Sequence, residues 1–140
     1  MSYFSVGVGG FLGAVARYYL SNMVAFPESG FFPIGTVLVN LLGCFFLGFF
    51  LAVALTFPRC LTYTVTGVAT GFTGSFTTFS TFNLDALHLF FAGKISMAVG
   101  YVFISLLSGI MLVWIGNWLG EALFNFIGLN DNQQILEEKH

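Results

Sequence analysis

Between residues 34 and 57 the chain carries no charged side chain, and Pro33 and Pro58 close the run at its two ends. About 20 apolar residues cross the hydrocarbon of a bilayer as a helix, so this segment has the length and composition of a membrane span. The rest of the chain agrees with it. Typical soluble proteins are about 25% charged, whereas 7% of these 140 residues are charged and 57% are hydrophobic. With a mean hydropathy of +0.91, a soluble globule is excluded. Lipid offers no partner to a free N–H or C=O, so a chain of this kind folds as helices that satisfy their own backbone. The expected class is an all-α membrane protein.

Four spans are expected, over residues 3–26, 34–57, 61–91 and 95–119, within a single transmembrane domain at 1–125. The polar stretch at 126–140 reads as a C-terminal tail. The first apolar run is longer than a signal core and lacks a basic leader, so it is expected to stay as a membrane helix. Four Lys and Arg in the whole chain argue against nucleic-acid binding. Cys44 and Cys60 would lie roughly 24 Å apart on one helix at about 1.5 Å rise per residue, beyond disulfide reach. Both read as small apolar residues.

Orientation follows the Lys/Arg bias between short loops, and here that bias nearly vanishes. Arg59 and Lys139 mark one side; Lys94 and the inward-lying Arg17 lean to the other. The expectation is dual topology and an antiparallel homodimer. Gly9/Gly13, Gly67/Gly71 and Gly116/Gly120 have the GxxxG spacing of close helix contacts in membranes, although glycine is also simply common there.

The third span contains Gly71-Phe-Thr-Gly-Ser-Phe-Thr-Thr-Phe-Ser-Thr-Phe82. Two glycines and a threonine cluster weaken helical backbone there, so this helix is expected to break within the membrane. Broken helices in membrane proteins build sites for small ions or substrates. Phe76, Phe79, Phe82 and Asp85 recur every three residues, as along one drifting face, with Thr77, Thr78, Ser80 and Thr81 interleaved. For Phe76 the expected role is packing. Asp85 either pairs with the hydroxyls or marks the end of the span.

Other polar residues lie in the spans. Arg17, at an insertion cost of about 2.5–3.5 kcal/mol if central, reads as a snorkelling anchor or as a cation lining an aqueous vestibule. Thr36 and Asn40 share a helical face; the Asn40 amide serves either a helix–helix bond or a dehydrating ion. Tyr101, Ser105 and Ser108 form a hydroxyl stripe, extended by Gly109, in which serines either bond back to their own helix or line a wet track. Amides, hydroxyls and aromatic ring edges favour an anion, whereas a transported cation would want acidic or carbonyl ligands. Carbonyls freed at Gly74 and Thr77 by the break are suited to holding a hard monovalent cation structurally. No His/Asp/Ser or metal-ligand cluster points to an enzyme; His88 reads as an interfacial residue.

Three stretches, Gly9-Gly-Phe-Leu-Gly-Ala-Val-Ala-Arg-Tyr18, Gly35-Thr-Val-Leu-Val-Asn-Leu-Leu-Gly43 and the 71–82 run, occur in order, one per helix. In them the chain resembles the Fluc (CrcB) family of fluoride channels along nearly its whole length. The resemblance implies a dual-topology homodimer of four-helix subunits with two fluoride pores. It assigns Asn40, Phe79, Phe82, Tyr101 and Ser105 to each pore, with Thr36 and Ser108 as further members, and gives Phe79 and Phe82 to opposite subunits. Arg17 matches the vestibule arginine. Gly74 and Thr77 carbonyls of both subunits would bind a central Na+. Gly109 stands where some relatives have a serine, and Asp85 where some have a glutamate.

The function expected from this is passive, fluoride-selective export across the prokaryotic cytoplasmic (inner) membrane, giving fluoride resistance. Two transport rivals exist. A small four-helix proton-coupled exporter wants a glutamate in its first helix, where this chain has Arg17. A fluoride/proton exchanger wants a buried titratable shuttle, for which Asp85 is the candidate. A membrane scaffold would leave the interleaved phenylalanines and hydroxyls unexplained.

Overall fold

The computed structural model describes the backbone of residues 2–24, 32–56 and 59–137, with side chains described except at 2, 55–66, 68 and 127–137. The described residues contain helices and no strand: α1 (Ser2–Val24), α2 (Ile34–Thr56), α3 (Arg59–Phe76), α4 (Phe79–Phe91) and α5 (Ile95–Glu137). Two of them, α2 and α5, are long and apolar enough to cross a membrane, over Ile34–Ala54 and Ile95–Phe126. The third expected span is divided into α3 and α4. Helix α5 continues through Glu137, so most of the polar tail extends that helix. Cys60 and Arg59 have side chains outside the described residues; Cys44 is a free thiol.

Local chemistry explains the helix ends. Pro33 precedes α2, where a missing N–H costs nothing, and its carbonyl accepts the Val37 N–H at 3.2 Å. Helix α4 stops in a Schellman turn: Lys94 N–H donates to the Leu89 carbonyl at 2.9 Å and Gly93 N–H to the Phe90 carbonyl at 3.0 Å. Gly93 takes φ 74°, a left-handed conformation that a side chain would strain. The Lys94 carbonyl then accepts from Ala98 at 3.0 Å and opens α5.

The helices pack as two close pairs, α1 on α3 and α2 on α5, joined along α2–α3 and α4–α5. In lipid no hydrophobic force separates helix from solvent, so close van der Waals contact between small residues drives such pairing. A Cβ on Gly71 would collide with the Val6 carbonyl of α1, and one on Gly116 with the Phe45 carbonyl of α2. Gly13 abuts Phe72, and Gly120 lies against Phe49 and Ala52, while Gly9 and Gly67 are buried. The GxxxG spacings therefore sit at the two tight crossings. Between the pairs, α2 and α3 meet through rings: Phe46 is edge-on to Phe72 at 5.8 Å and to Phe76 at 6.2 Å.

The break itself falls at Thr77–Thr78, not at the glycines. Gly71 and Gly74 remain helical within α3, and Gly71 is needed for the α1 crossing. The expected single face from Phe76 to Asp85 is consequently split. Phe76 ends α3 at 3% exposure, stacked on Phe72 at 5.3 Å, whereas Phe79 opens α4 at 78% exposure. Packing is what Phe76 does; the aromatic stripe proper begins at Phe79.

Candidate functional site

Thr78 is the N-cap of α4, extended at φ −140° and ψ 110°, with its Oγ1 accepting the Thr81 N–H at 3.3 Å. A threonine hydroxyl in this position satisfies one of the donors a helix leaves free at its start. The two remaining polar groups of Thr78 go to one side chain. Its N–H donates to Asn40 Oδ1 at 2.8 Å, and its carbonyl accepts from Asn40 Nδ2 at 3.1 Å. Asn40 thus replaces the acceptor that the break takes from Thr78 N–H and adds a second donor to a carbonyl that already opens α4, and the pairing fixes which way its amide points. Of its two amide hydrogens one is spent here. Asn40 therefore makes a helix–helix bond and has one amide hydrogen left over.

The same rearrangement releases two carbonyls from their usual donors. In an unbroken helix, Thr78 N–H would serve Gly74 and Thr81 N–H would serve Thr77; they serve Asn40 and Thr78 Oγ1 instead. Gly74 is exposed, with nothing within 4 Å of where a Cβ would stand. Among the described residues there is no group of three or more His, Cys, Asp or Glu able to hold a metal, so any cation here would rely on such carbonyls.

Beside the break lies an open groove of about 360 Å³, bounded by Asn40 and Cys44 of α2, Thr73 of α3, Phe79 and Phe82 of α4, and Ser105 of α5. Phe79 and Phe82 stack at 6.2 Å, and Phe82 stacks on Tyr101 at 4.9 Å. The Tyr101 ring is wholly buried and also takes the edge of Phe32 at 5.8 Å. The hydroxyls of Tyr101 and Ser105 are sealed and have no hydrogen-bond partner. One turn away, Thr36 Oγ1 donates to Asp85 Oδ2 at 2.6 Å, so Asp85 pairs with a hydroxyl of the expected track.

The expected set is not gathered as a whole. Asn40, Phe79, Phe82 and Ser105 share the groove, Tyr101 backs it, and Thr36 and Asp85 form a separate pair. Ser108 bonds back to the Ile104 carbonyl of its own helix and is absent from the groove wall. Gly109 packs against Cys44, whose Sγ is 3.3 Å from a Cβ built there. Arg17 is half-buried on α1 and does not line the groove. Ser75, not singled out from sequence, ties α3 to α1 by donating to the Gly10 carbonyl at 2.6 Å. Thr78 was legible as a cap only from a hydroxyl preceding a helix start, and the start itself was not located.

Helices with membrane-spanning composition, packed through small residues around a broken segment with a groove beside it, define a helical membrane protein. Residues 4–117 match the family profile described as CrcB-like protein, Camphor Resistance (CrcB), and the chain belongs to this family. It is 41% identical over 122 residues to a fluoride-specific ion channel FluC of Bacillus cereus, covering 86% of this chain and 84% of that protein. It is 38% identical over 116 residues to a FluC channel of Geobacillus kaustophilus, covering 83% and 90%. With a FluC channel of Moorella thermoacetica it shares 37% over 140 residues, covering 96% and 100%.

Proposed function

We propose that this chain forms a passive, fluoride-selective channel of the prokaryotic cytoplasmic membrane, giving fluoride resistance by letting the ion leave the cell. The observation that carries the reading is the groove at the break, a largely apolar wall whose few polar side chains are an amide and hydroxyls, with no carboxylate. Removing water from a carboxylate-sized ion costs on the order of 20 kcal/mol by the Born estimate, and fluoride is smaller. Donors in several weak sites lower that barrier without trapping the ion. Here Asn40 offers its remaining N–H, Ser105 and Tyr101 offer hydroxyls, and Phe79 and Phe82 offer positive ring edges. The relatives' names support fluoride as the ion.

The working unit in this reading is an antiparallel, dual-topology homodimer of four-span chains in lipid, with two pores, each using Phe79 and Phe82 from opposite subunits. Supporting it are the 78% exposure of Phe79, the openness of the groove on one chain and the near-absent charge bias between loops. Arg17 would gather anions at the vestibule, while Thr36 would extend the track and Ser108, bonded back to its own helix, would stand at the margin of it. Gly74 and Thr77 carbonyls of both copies fit a central structural Na+, which would supply a fixed positive charge at the dimer axis.

The test is efflux from vesicles holding the purified protein and fluoride or chloride, under an applied potential, with sodium present or withdrawn. Expected are voltage-driven fluoride efflux without obligatory proton movement, retention of chloride, and loss of conduction without sodium. Vesicles that keep their fluoride would overturn the channel; efflux indifferent to sodium would overturn the Na+ site alone.

A further inference from the structure

Three side-chain oxygens among the described residues are sealed from solvent and have no hydrogen-bond partner: those of Tyr101, Ser105 and Thr73. The first two belong to the proposed pore. The third carries the same signature and has no assigned role. We propose that Thr73 is a further fluoride-contacting residue, its hydroxyl donating to the dehydrated ion in the groove beside Asn40. The inference rests on the channel reading above.

Hydroxyls in helices ordinarily find a partner by bonding back to their own helix, and the neighbours of Thr73 do so. Ser75 donates to the Gly71 carbonyl at 3.0 Å, Thr77 to the Thr73 carbonyl at 2.8 Å, and Ser108 to the Ile104 carbonyl. Thr73 does not, although it is 7% exposed and one turn inside α3. A buried hydroxyl left unpaired destabilises a fold, so an orphan of this kind marks a place for a guest. Thr73 also lines the same groove as Asn40 and Ser105. Thr73 lines the groove while its hydroxyl is turned away from solvent, so contact with the ion takes a turn about χ1, for which a helical threonine has two rotamers. Because no acid lines that wall and Asn40 presents an amide hydrogen, the guest that gains most is an anion.

Valine keeps the branched shape of threonine and removes only the hydroxyl, leaving the Thr73 carbonyl to hold the last turn of α3. In vesicle efflux, Thr73→Val is expected to lower fluoride flux about tenfold or more, as loss of one hydrogen bond to a charged partner implies. Its thermal stability should stay level or rise, because an orphaned polar group has gone. Thr73→Ser should restore flux to within about twofold of the parent. Thr73→Ala gives a second hydroxyl-free variant should valine pack badly. Parent-like flux in both hydroxyl-free variants overturns the inference while leaving the channel intact. So does equal loss in Thr73→Ser, or a changed sodium requirement with unchanged fluoride dependence. Absence of flux in the parent protein overturns the channel reading, and this inference with it.

Discussion

Two phenylalanines three residues apart, Phe76 and Phe79, stand on opposite sides of the break and have opposite fates. Phe76 is 3% exposed, wedged between Phe46 and Phe72, while Phe79 is 78% exposed at the head of α4 beside the groove. Upstream of Thr77 the chain spends its small residues and rings on closing helix against helix. Downstream it leaves a cap, free donors and ring faces open. The difference teaches that the break is a boundary between packed and open rings, while polar residues from both sides of it, Asn40 and Thr73 included, line the groove. One amide braces the break, since Asn40 binds both the N–H and the carbonyl of Thr78.

The largest effect should come from removing that boundary. Asn40→Ala leaves Thr78 N–H without its acceptor, at about 1–3 kcal/mol if that group stays dry, while the carbonyl keeps its bond within α4. Thermal unfolding of the detergent-solubilised protein should fall accordingly, and fluoride flux should vanish with the lost donor. Undiminished stability would mean that the break holds itself open without Asn40.

A pair of substitutions sharpens the contrast next. Phe76→Ala is expected to cost about 3–5 kcal/mol by opening a cavity in the ring cluster, seen as a loss of folded yield and melting temperature. Phe79→Ile should leave yield, assembly and melting unchanged while fluoride flux drops about tenfold or more, the loss of ring-edge contacts with the ion. Matching phenotypes in the two variants would erase the distinction between packed and open rings, and normal flux in Phe79→Ile would favour a purely structural protein.

The smallest effect is assigned to Ser108. Its hydroxyl is turned onto Ile104 of its own helix, so Ser108→Ala should change flux by less than about twofold, the scale of a few tenths of a kcal/mol. A large loss would show that Ser108 leaves its helix during conduction and joins the track.

Much was legible beforehand because it is local or periodic. Apolar length sets where helices can run, as for α2 between Pro33 and Thr56, and glycine spacing marked the crossings at Gly71 and Gly116. The presence of an interruption between Gly71 and Phe82 was visible in its glycines and hydroxyls. Its position was not, because glycine costs a helix only about 1 kcal/mol, and both Gly71, packed upon by α1, and the open Gly74 stay helical. Threonines became the breaking point because a partner 38 positions away in sequence accepts and donates there. Packing was the expected role of Phe76 and is its role at 3% exposure, but the even spacing to Phe79 did not show that the helix would break between the two rings.

Composition and periodicity alone determined that this protein is helical, membrane-bound and interrupted in its third segment, since lipid allows few other outcomes for such a chain. Only the tertiary structure decided which backbone groups are released, which hydroxyls are stranded and which rings stay open. Those depend on groups from α2, α3, α4 and α5 meeting in space, and no pattern along a single strand of sequence records a meeting of that kind.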